Sequence, residues 1–189
     1  SMTDSQGFYK ITGMNDGKYK LYFQPQPGSD WASEYYDKKK SMQEADIVEV
    51  ASGQTVTINV DLGLSGRISG TVTGGAENQP LSSVYVLMNP VRADGSFDPS
   101  RQGNYSVYTD ANGYYQVKGL PPGGFKMQFN APAGSDYQTE YYNDKKTFNE
   151  ADIVMVYPGE TTVADGSLNR SGVISGVVRS EERRVGKEC

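Results

Sequence analysis

Short runs of alternating apolar and polar residues, separated by turn residues, follow one another along residues 66–168. Alternation with a period of two is typical of strands that bury one face. Seven such runs in about a hundred residues predict a seven-stranded antiparallel β-sandwich. The predicted strands cover residues 66–73, 81–88, 105–107, 115–117, 124–130, 152–157 and 161–168. The residues predicted to face the core are Ile68, Gly70, Val72, Val84, Val86, Met88, Tyr105, Val107, Tyr115, Val117, Phe125, Met127 and Phe129.

Turn residues mark the ends of these runs. Asp110-Ala111-Asn112-Gly113 places Asn-Gly between two runs, which predicts a hairpin turn. Residues 120–124, Leu-Pro-Pro-Gly-Gly, end one strand and begin the next. The Asp110 segment also resembles the start of a calcium loop, but the further oxygen ligands at the required spacing are missing. We therefore predict a turn here and no metal site.

The chain is also an internal repeat. A shift of 106 residues lays Thr3–Val72 on Thr109–Val178 without a gap, and 31 of the 70 pairs are identical. A unit copied at a fixed spacing indicates an array. The chain is therefore expected to contain the C-terminal part of an incomplete repeat (1–63), a complete repeat (64–171), the first strand of a third repeat (172–179) and a tail of the kind found in cloned metagenomic sequence (180–189).

The incomplete repeat is expected to expose part of its core. Its apolar positions are Tyr9, Ile11, Tyr19, Leu21, Phe23, Val56, Ile58 and Val60. Since exposed strand edges and apolar faces recruit partners, we predict that residues 172–178, or a strand of another molecule, add to this repeat and give an oligomer. The short linker at residues 62–66 favours a semi-rigid rod, in which neighbouring repeats of the same protein are partners.

Composition excludes several classes of function. The net charge is −5, which argues against nucleic-acid binding because that needs clustered Lys and Arg. Histidine is absent and the one cysteine is Cys189, so Ser-His-Asp and Cys-His catalysis are excluded. No apolar run approaches the roughly 18 residues of a membrane span, so we predict no membrane insertion. We predict no enzyme activity and no cofactor.

Aromatic residues concentrate in the longest predicted loop of each repeat, at residues 25–45 and 131–151. Rings flanked by Asp, Asn and Glu suit sugar recognition, because a ring stacks on sugar C–H groups while polar neighbours bind hydroxyls. The alternative is that the rings pack against the sandwich or the next unit, as large aromatic residues commonly do. The candidate ligand-binding residues are Trp31, Tyr35, Tyr36, Tyr137, Tyr141 and Tyr142.

Four segments of the complete repeat resemble the carboxypeptidase regulatory-like domain. They are Gly66–Val72, Pro80-Leu81, Thr109–Tyr115 and Gly119–Gly123. The resemblance implies a transthyretin-like (prealbumin-like, starch-binding-like) β-sandwich of the type repeated in secreted and surface bacterial proteins. It implies an extracellular or cell-surface location and a catalytic or adhesive partner domain, and it provides no catalytic residues to carry over.

The sequence therefore predicts a non-catalytic structural or adhesive repeat that acts as a spacer or interaction module. The alternative is a carbohydrate-binding module that binds polysaccharide through the aromatic residues of the long loop.

Overall fold

The computed structural model describes residues 1–101, 103 and 105–178, so that the proposed tail at 180–189 lies outside the described residues. The strands of the incomplete repeat are β1 (Gly17–Tyr19), β2 (Tyr22–Phe23), β3 (Glu34–Tyr35) and β4 (Val48–Val50), with one turn of 3-10 helix at Tyr36–Lys38. The strands of the complete repeat are β5 (Gly66–Gly74), β6 (Gln79–Pro80), β7 (Tyr85–Pro90), β8 (Ser106–Tyr108), β9 (Tyr114–Leu120), β10 (Gly123–Asn130), β11 (Glu140–Tyr141), β12 (Val154–Val156), β13 (Thr161–Val163) and β14 (Gly166–Leu168).

The complete repeat is a sandwich of two sheets, which confirms the predicted all-β fold class. In one sheet β5 lies between β9, which is antiparallel to it, and β13 with β14. The short strand β6 pairs with the C-terminal end of β5. In the other sheet β10 lies between β7 and the pair β11 and β12, and β8 forms the edge beyond β7. The two inner faces meet in one hydrophobic core.

The period-two pattern identified the core correctly. Val107 and Val117 are partly buried against the core, and the other predicted inward residues are buried. The residues of the core cluster are Ile68, Val72, Val84, Val86, Met88, Tyr105, Tyr115, Leu120, Phe125, Met127, Phe129, Val154, Val156, Ala164 and Leu168.

The last predicted strand differs from the expectation in two ways. It is split into β13 and β14, and both pair with β5 in parallel, whereas the sequence analysis expected antiparallel pairing throughout. The split falls at Ala164 and Asp165. There the Ala164 amide donates to the Ser69 carbonyl (2.9 Å), and a carboxylate oxygen of Asp165 accepts the amide of Thr71 (2.8 Å). A side chain thus replaces a main-chain acceptor, and the β5 edge stays paired across the break.

The Asn-Gly segment forms a tight turn, but the predicted hairpin is wrong. Asp110 accepts the amides of Asn112 (2.8 Å) and Tyr114 (2.9 Å) with its carboxylate, and Gly113 has a φ of +73°. However, β8 pairs with β7 in one sheet and β9 pairs with β5 in the other. The turn therefore carries the chain across the sandwich.

The incomplete repeat retains part of this architecture. Its strands β1 and β4 pair as the corresponding parts of β10 and β12 do, and β2 pairs with β3 as the end of β10 pairs with β11. None of its predicted core residues is buried, in contrast to Phe125, Met127 and Phe129 of the complete repeat. The predicted core residues of the incomplete repeat are therefore partly or fully exposed, and the division of the chain into repeats stays a prediction.

The assignment of residues 172–179 to the first strand of a third repeat stays a prediction. Residues 171–178 have no strand structure, and Ile174 and Val178 are fully exposed. The reason is the position of this segment: β14 runs parallel to β5 and ends opposite Gly74, whereas the incomplete repeat precedes Gly66, at the other end of β5. At about 3.3 Å per residue, the length of β5 separates the two by about 26 Å.

Gly70 permits the close approach of β5 to the segment between β13 and β14. A β-carbon at Gly70 would lie 2.2 Å from the carbonyl oxygen of Ala164. We expect Gly70→Ala to lower the free energy of unfolding by about 1–3 kcal/mol, because it overpacks a buried contact with the main chain. Urea unfolding measures this, with Gly172→Ala as control since no heavy atom lies within 4 Å of a β-carbon there. Equal midpoints for the two variants would contradict the prediction.

Candidate functional site

The long loop of the incomplete repeat is bound to the linker that leads into β5. Residues 30–32 of the loop and 63–65 of the linker form a short antiparallel pairing, which we call the first joint. Its main-chain links are the bridge between Trp31 and Leu64 and the hydrogen bonds from the Ala32 amide to the Gly63 carbonyl (2.8 Å) and from the Ser65 amide to the Asp30 carbonyl (2.8 Å).

The same links recur 106 residues later. Residues 136–138 and 169–171 form the second joint, where the linker leaves the complete repeat. Its links are the bridge between Tyr137 and Arg170 and the hydrogen bonds from the Gln138 amide to the Asn169 carbonyl (2.9 Å) and from the Ser171 amide to the Asp136 carbonyl (2.6 Å). Each repeat therefore uses its long loop to hold the linker to the following unit.

The first joint also has side-chain contacts between the two repeats. The guanidinium group of Arg67, on β5, contacts the carboxylate of Asp30. The hydroxyl of Ser65 donates to the Ser29 carbonyl (3.2 Å), and Ser65 is buried. The counterpart of Arg67 in the next repeat is Val173, so this ion pair belongs to the first joint.

A buried acid supports the second joint. Glu140 on β11 is fully buried, and one of its carboxylate oxygens accepts the Asn169 amide (3.1 Å), the Asn169 side-chain amide (2.9 Å) and the Lys146 ammonium group (3.0 Å). These bonds connect β11, the long loop and the linker. Sequence analysis missed Glu140, although an acid occupies the same position in both repeats.

Its counterpart, Glu34, has the same position at the first joint but is partly buried. Burial raises the pKa of Glu34 above its usual value, and the backbone of Gly63 opposes this by donating a hydrogen bond to the carboxylate. Gly63 is the counterpart of Asn169. An acid therefore accepts the linker amide in both joints, and it is buried at Glu140 and partly buried at Glu34.

The six candidate aromatic residues do not form one surface. Trp31 is 51% exposed, whereas Tyr35 is 4% exposed and its ring lies 4.9 Å from that of Tyr22. Tyr36 is half-buried. In the complete repeat, Tyr137 and Tyr142 pack against the core.

Tyr141 lies beside Phe148, with 6.3 Å between the ring centroids. The ring of Tyr137 also lies under the Arg170 guanidinium group at 5.8 Å, inside the second joint. Of the six side chains, Trp31 thus presents the largest exposed ring, and sugar stacking at these positions stays a prediction.

A shallow groove lies beside Trp31, between the two repeats. Its walls include Tyr22 and Gln24 from the incomplete repeat and Tyr105 and Lys118 from the complete repeat. Its volume is about 130 Å³, below the range of about 300–1,000 Å³ that is usual for small-molecule pockets. The groove therefore suits, at most, a ligand that lies on the surface.

The described ranges 1–101, 103 and 105–178 contain no group of three His, Cys, Asp or Glu residues arranged to hold a metal ion. Across the same residues, no helix has the length and apolar character needed to cross a membrane.

Comparison with known proteins gives distant relatives. No family model matches the chain. Serine-aspartate repeat-containing protein F of Staphylococcus epidermidis is 25% identical over 201 residues, which cover 97% of this chain and 10% of that protein. The chain thus spans about a tenth of this relative, and its similarity is to one part of a larger repeat-containing protein.

Two solved pilin structures are similar at low scores. GBS52, the minor pilin of Streptococcus agalactiae, has a TM-score of 0.44 and 15% identity, with 94% of this chain and 70% of that chain covered. BcpA, the major pilin subunit of Bacillus cereus, has a TM-score of 0.38 and 12% identity, with 86% and 41% covered. These scores are too low to support an argument about this chain, and the fold described above rests on its own geometry.

We expect removal of the Glu140 carboxylate to destabilise the complete repeat. Glu140→Ala leaves the Asn169 donors without their acceptor, at an expected cost of about 2–3 kcal/mol in the free energy of unfolding. Glu49→Ala is the control, because it removes an exposed ion pair with Lys18 (3.1 Å), which is worth less than about 1 kcal/mol. Thermal and urea unfolding of the two variants measure the difference, and a similar small loss in both would contradict the structural role of Glu140.

Proposed function

We propose that this chain is a non-catalytic structural repeat of a secreted or cell-surface bacterial protein, in which it acts as a spacer. The repeated joint carries the proposal. A linker that is hydrogen-bonded along its length to the preceding unit restricts the rotation of one unit against the next. Restricted rotation is what a spacer requires to project a partner domain away from its attachment point.

The similarity to one tenth of serine-aspartate repeat-containing protein F supports the proposal that this chain is a module of a larger protein. The resemblance of the turn segments to the carboxypeptidase regulatory-like domain supports the same class of module and a surface location. The proposal includes an adhesive contact made by the repeat itself. The expected partners of the repeat are the neighbouring repeats of the same protein.

We expect loss of the Ser65 contacts in the first joint to let the two repeats move more independently. Ser65→Pro removes the amide that donates to the Asp30 carbonyl (2.8 Å) and the hydroxyl that donates to the Ser29 carbonyl (3.2 Å). Relaxation of ¹⁵N nuclei is expected to give one correlation time for both repeats in the wild type and two distinct times in the variant.

The matched control is Ser171→Pro. It removes the corresponding bond of the second joint, beyond which this chain has no folded repeat among the described residues, and it is expected to leave the single correlation time unchanged. Independent tumbling of the two repeats in the wild type would contradict the spacer function.

The second candidate function is carbohydrate binding, and the exposure of Trp31 favours it. The indole ring lies at the groove between the repeats, and Gln24 and Lys118 also line this groove. A polysaccharide chain that lay along this surface would stack on the ring and accept hydrogen bonds from the amide and ammonium groups.

A pull-down on a panel of insoluble polysaccharides tests this function. If it is right, Trp31→Ala abolishes binding, Trp31→Phe retains part of it because a ring remains, and both variants keep the circular dichroism of the wild type. Tyr141→Ala with Tyr142→Ala reports on the corresponding loop of the complete repeat. Absence of binding by the wild type to every polymer would leave the spacer function alone.

A further inference from the structure

The turn between β8 and β9 contains the one asparagine of the chain that is followed by glycine, in the pair Asn112-Gly113. Asn112 is exposed, whereas Gly113 is buried. Asparagine deamidates most readily before glycine, since glycine has no β-carbon to shield its nitrogen from the preceding side chain. The reactivity of the pair in the folded protein therefore depends on how the turn holds these two residues.

The fold requires glycine at position 113. Its φ is +73°, and a β-carbon there would lie 2.5 Å from the carbonyl oxygen of Val72 and 3.1 Å from the nitrogen of Leu81. The carbonyl of Gly113 also accepts the amide of Val72 on β5 (2.8 Å). The reactive nitrogen therefore belongs to a residue that β5 holds in place and that cannot be exchanged for a larger one.

The fold does not require asparagine at position 112. The corresponding turn at residues 4–8 has Gln6 in its place. In that turn Asp4 accepts the amides of the residues two and four positions further on (both 2.9 Å), as Asp110 does. Glutamine forms the corresponding six-membered ring far more slowly than asparagine forms its five-membered ring, so the reactive version of the turn is the one in the complete repeat.

The closed turn opposes the reaction. The amide of Gly113, which has to attack, donates to the Asp110 carbonyl (3.0 Å). Attack passes through the deprotonated amide, whose negative charge the neighbouring Asp110 carboxylate disfavours. The same carboxylate fixes the main chain at Asn112 and Tyr114. The reaction therefore requires the turn to open, and local opening of this kind costs less than global unfolding.

We propose that Asn112 is a modification site, which deamidates spontaneously at a rate set by the opening of its turn. The Gly113 nitrogen attacks Cγ of Asn112. The new N–C bond forms as the bond from Cγ to the side-chain nitrogen breaks, and ammonia leaves with the proton of the Gly113 nitrogen. Water then opens the resulting succinimide. Cleavage between the ring nitrogen and Cγ gives aspartate, and cleavage between the ring nitrogen and the main-chain carbon gives isoaspartate.

The isoaspartate product does not fit the closed turn. Its main chain runs through the β-carbon and is longer by one methylene group. The turn is closed by the bond from the Asp110 amide to the Tyr114 carbonyl (2.9 Å) and is tied to β5 by the bond from the Val72 amide to the Gly113 carbonyl. A longer chain cannot keep both bonds, and the product also places a second carboxylate near Asp110. The modification is therefore expected to loosen the turn from β5.

Peptide mapping by mass spectrometry, during incubation of the folded chain at mildly alkaline pH, tests the proposal. We expect Asn112 to be the first asparagine that is modified, as a mixture of aspartate and isoaspartate. The same reaction is expected to be at least about tenfold faster in urea, because every molecule then has an open turn.

A pair of variants tests the role of the turn. Asp110→Ala removes the acceptor of the Asn112 and Tyr114 amides, and we expect it to raise the deamidation rate of the folded protein by at least about tenfold while the rate in urea is unchanged. The matched control is Asp94→Ala. Asp94 also accepts the amide of the residue two positions further on, Ser96 (2.9 Å), but in another turn, so the rate at Asn112 is expected to stay the same.

A further variant tests the effect of the modification on β5. Asn112→Gln is expected to keep the turn, as the turn at residues 4–8 does with Gln6, and to prevent the reaction. After equal incubation, amide hydrogen exchange at Val72 is expected to be faster in the modified wild type and unchanged in Asn112→Gln, because only the wild type displaces the Gly113 carbonyl.

Three results would overturn the proposal. They are modification of another asparagine ahead of Asn112, equal rates in the folded protein and in urea, and equal rates in Asp110→Ala and Asp94→Ala. Unchanged exchange at Val72 in the isoaspartate form would overturn the proposed loosening of the turn. These outcomes are separate from the test of the spacer function, because both joints are intact in all of the variants.

Discussion

The pairing of β5 along both of its edges is the constraint on which the rest of the fold depends. In the complete repeat, β5 joins β9 to β13 and β14 and buries Ile68 and Val72. Residues 1–63, among which the structure describes no counterpart of β5, provide the comparison within the same chain. There residues 8–14 and 55–60 keep much of the same sequence pattern. The Tyr9 hydroxyl donates to the Ile58 carbonyl, as the Tyr115 hydroxyl donates to the Ala164 carbonyl in the complete repeat, but neither segment forms a strand. Alternation of apolar residues is therefore insufficient without a partner for the main chain.

The positions of the strands and the core were accessible from sequence because they depend on local alternation. Runs such as Val84, Val86 and Met88, or Phe125, Met127 and Phe129, place apolar side chains on one face wherever the chain is extended, and burial of that face then follows. The tight turn at Asp110–Gly113 was accessible for the same reason, since the Asp110 carboxylate binds amides only two and four residues away.

The pairing of β13 and β14 and the polar contacts of the joints could not be predicted from the sequence, because they depend on residues distant in sequence. The parallel pairing of β13 and β14 with β5 joins segments about 94 residues apart, as in the bond from Thr71 to Asp165, and nothing in the local pattern specifies it. Glu140 was missed because an acid is normally taken as exposed. The joints were missed because they consist mainly of main-chain bonds, whose only sequence signal is that Ser29-Asp30 and Ser65 recur as Ser135-Asp136 and Ser171.

The position of the joint explains how one short linker serves both the stability of a unit and the connection between units. Ser65 is bound to the preceding loop, and the next residue, Gly66, begins β5. A rotation at the joint therefore displaces the end of the strand that both flanks of the sandwich pair with. Since such a displacement breaks contacts within the following repeat as well as at the boundary, its cost exceeds that of the joint's own few hydrogen bonds. Coupling of this kind is what allows separately folded units to behave as a rod when the linker between them is only a few residues long.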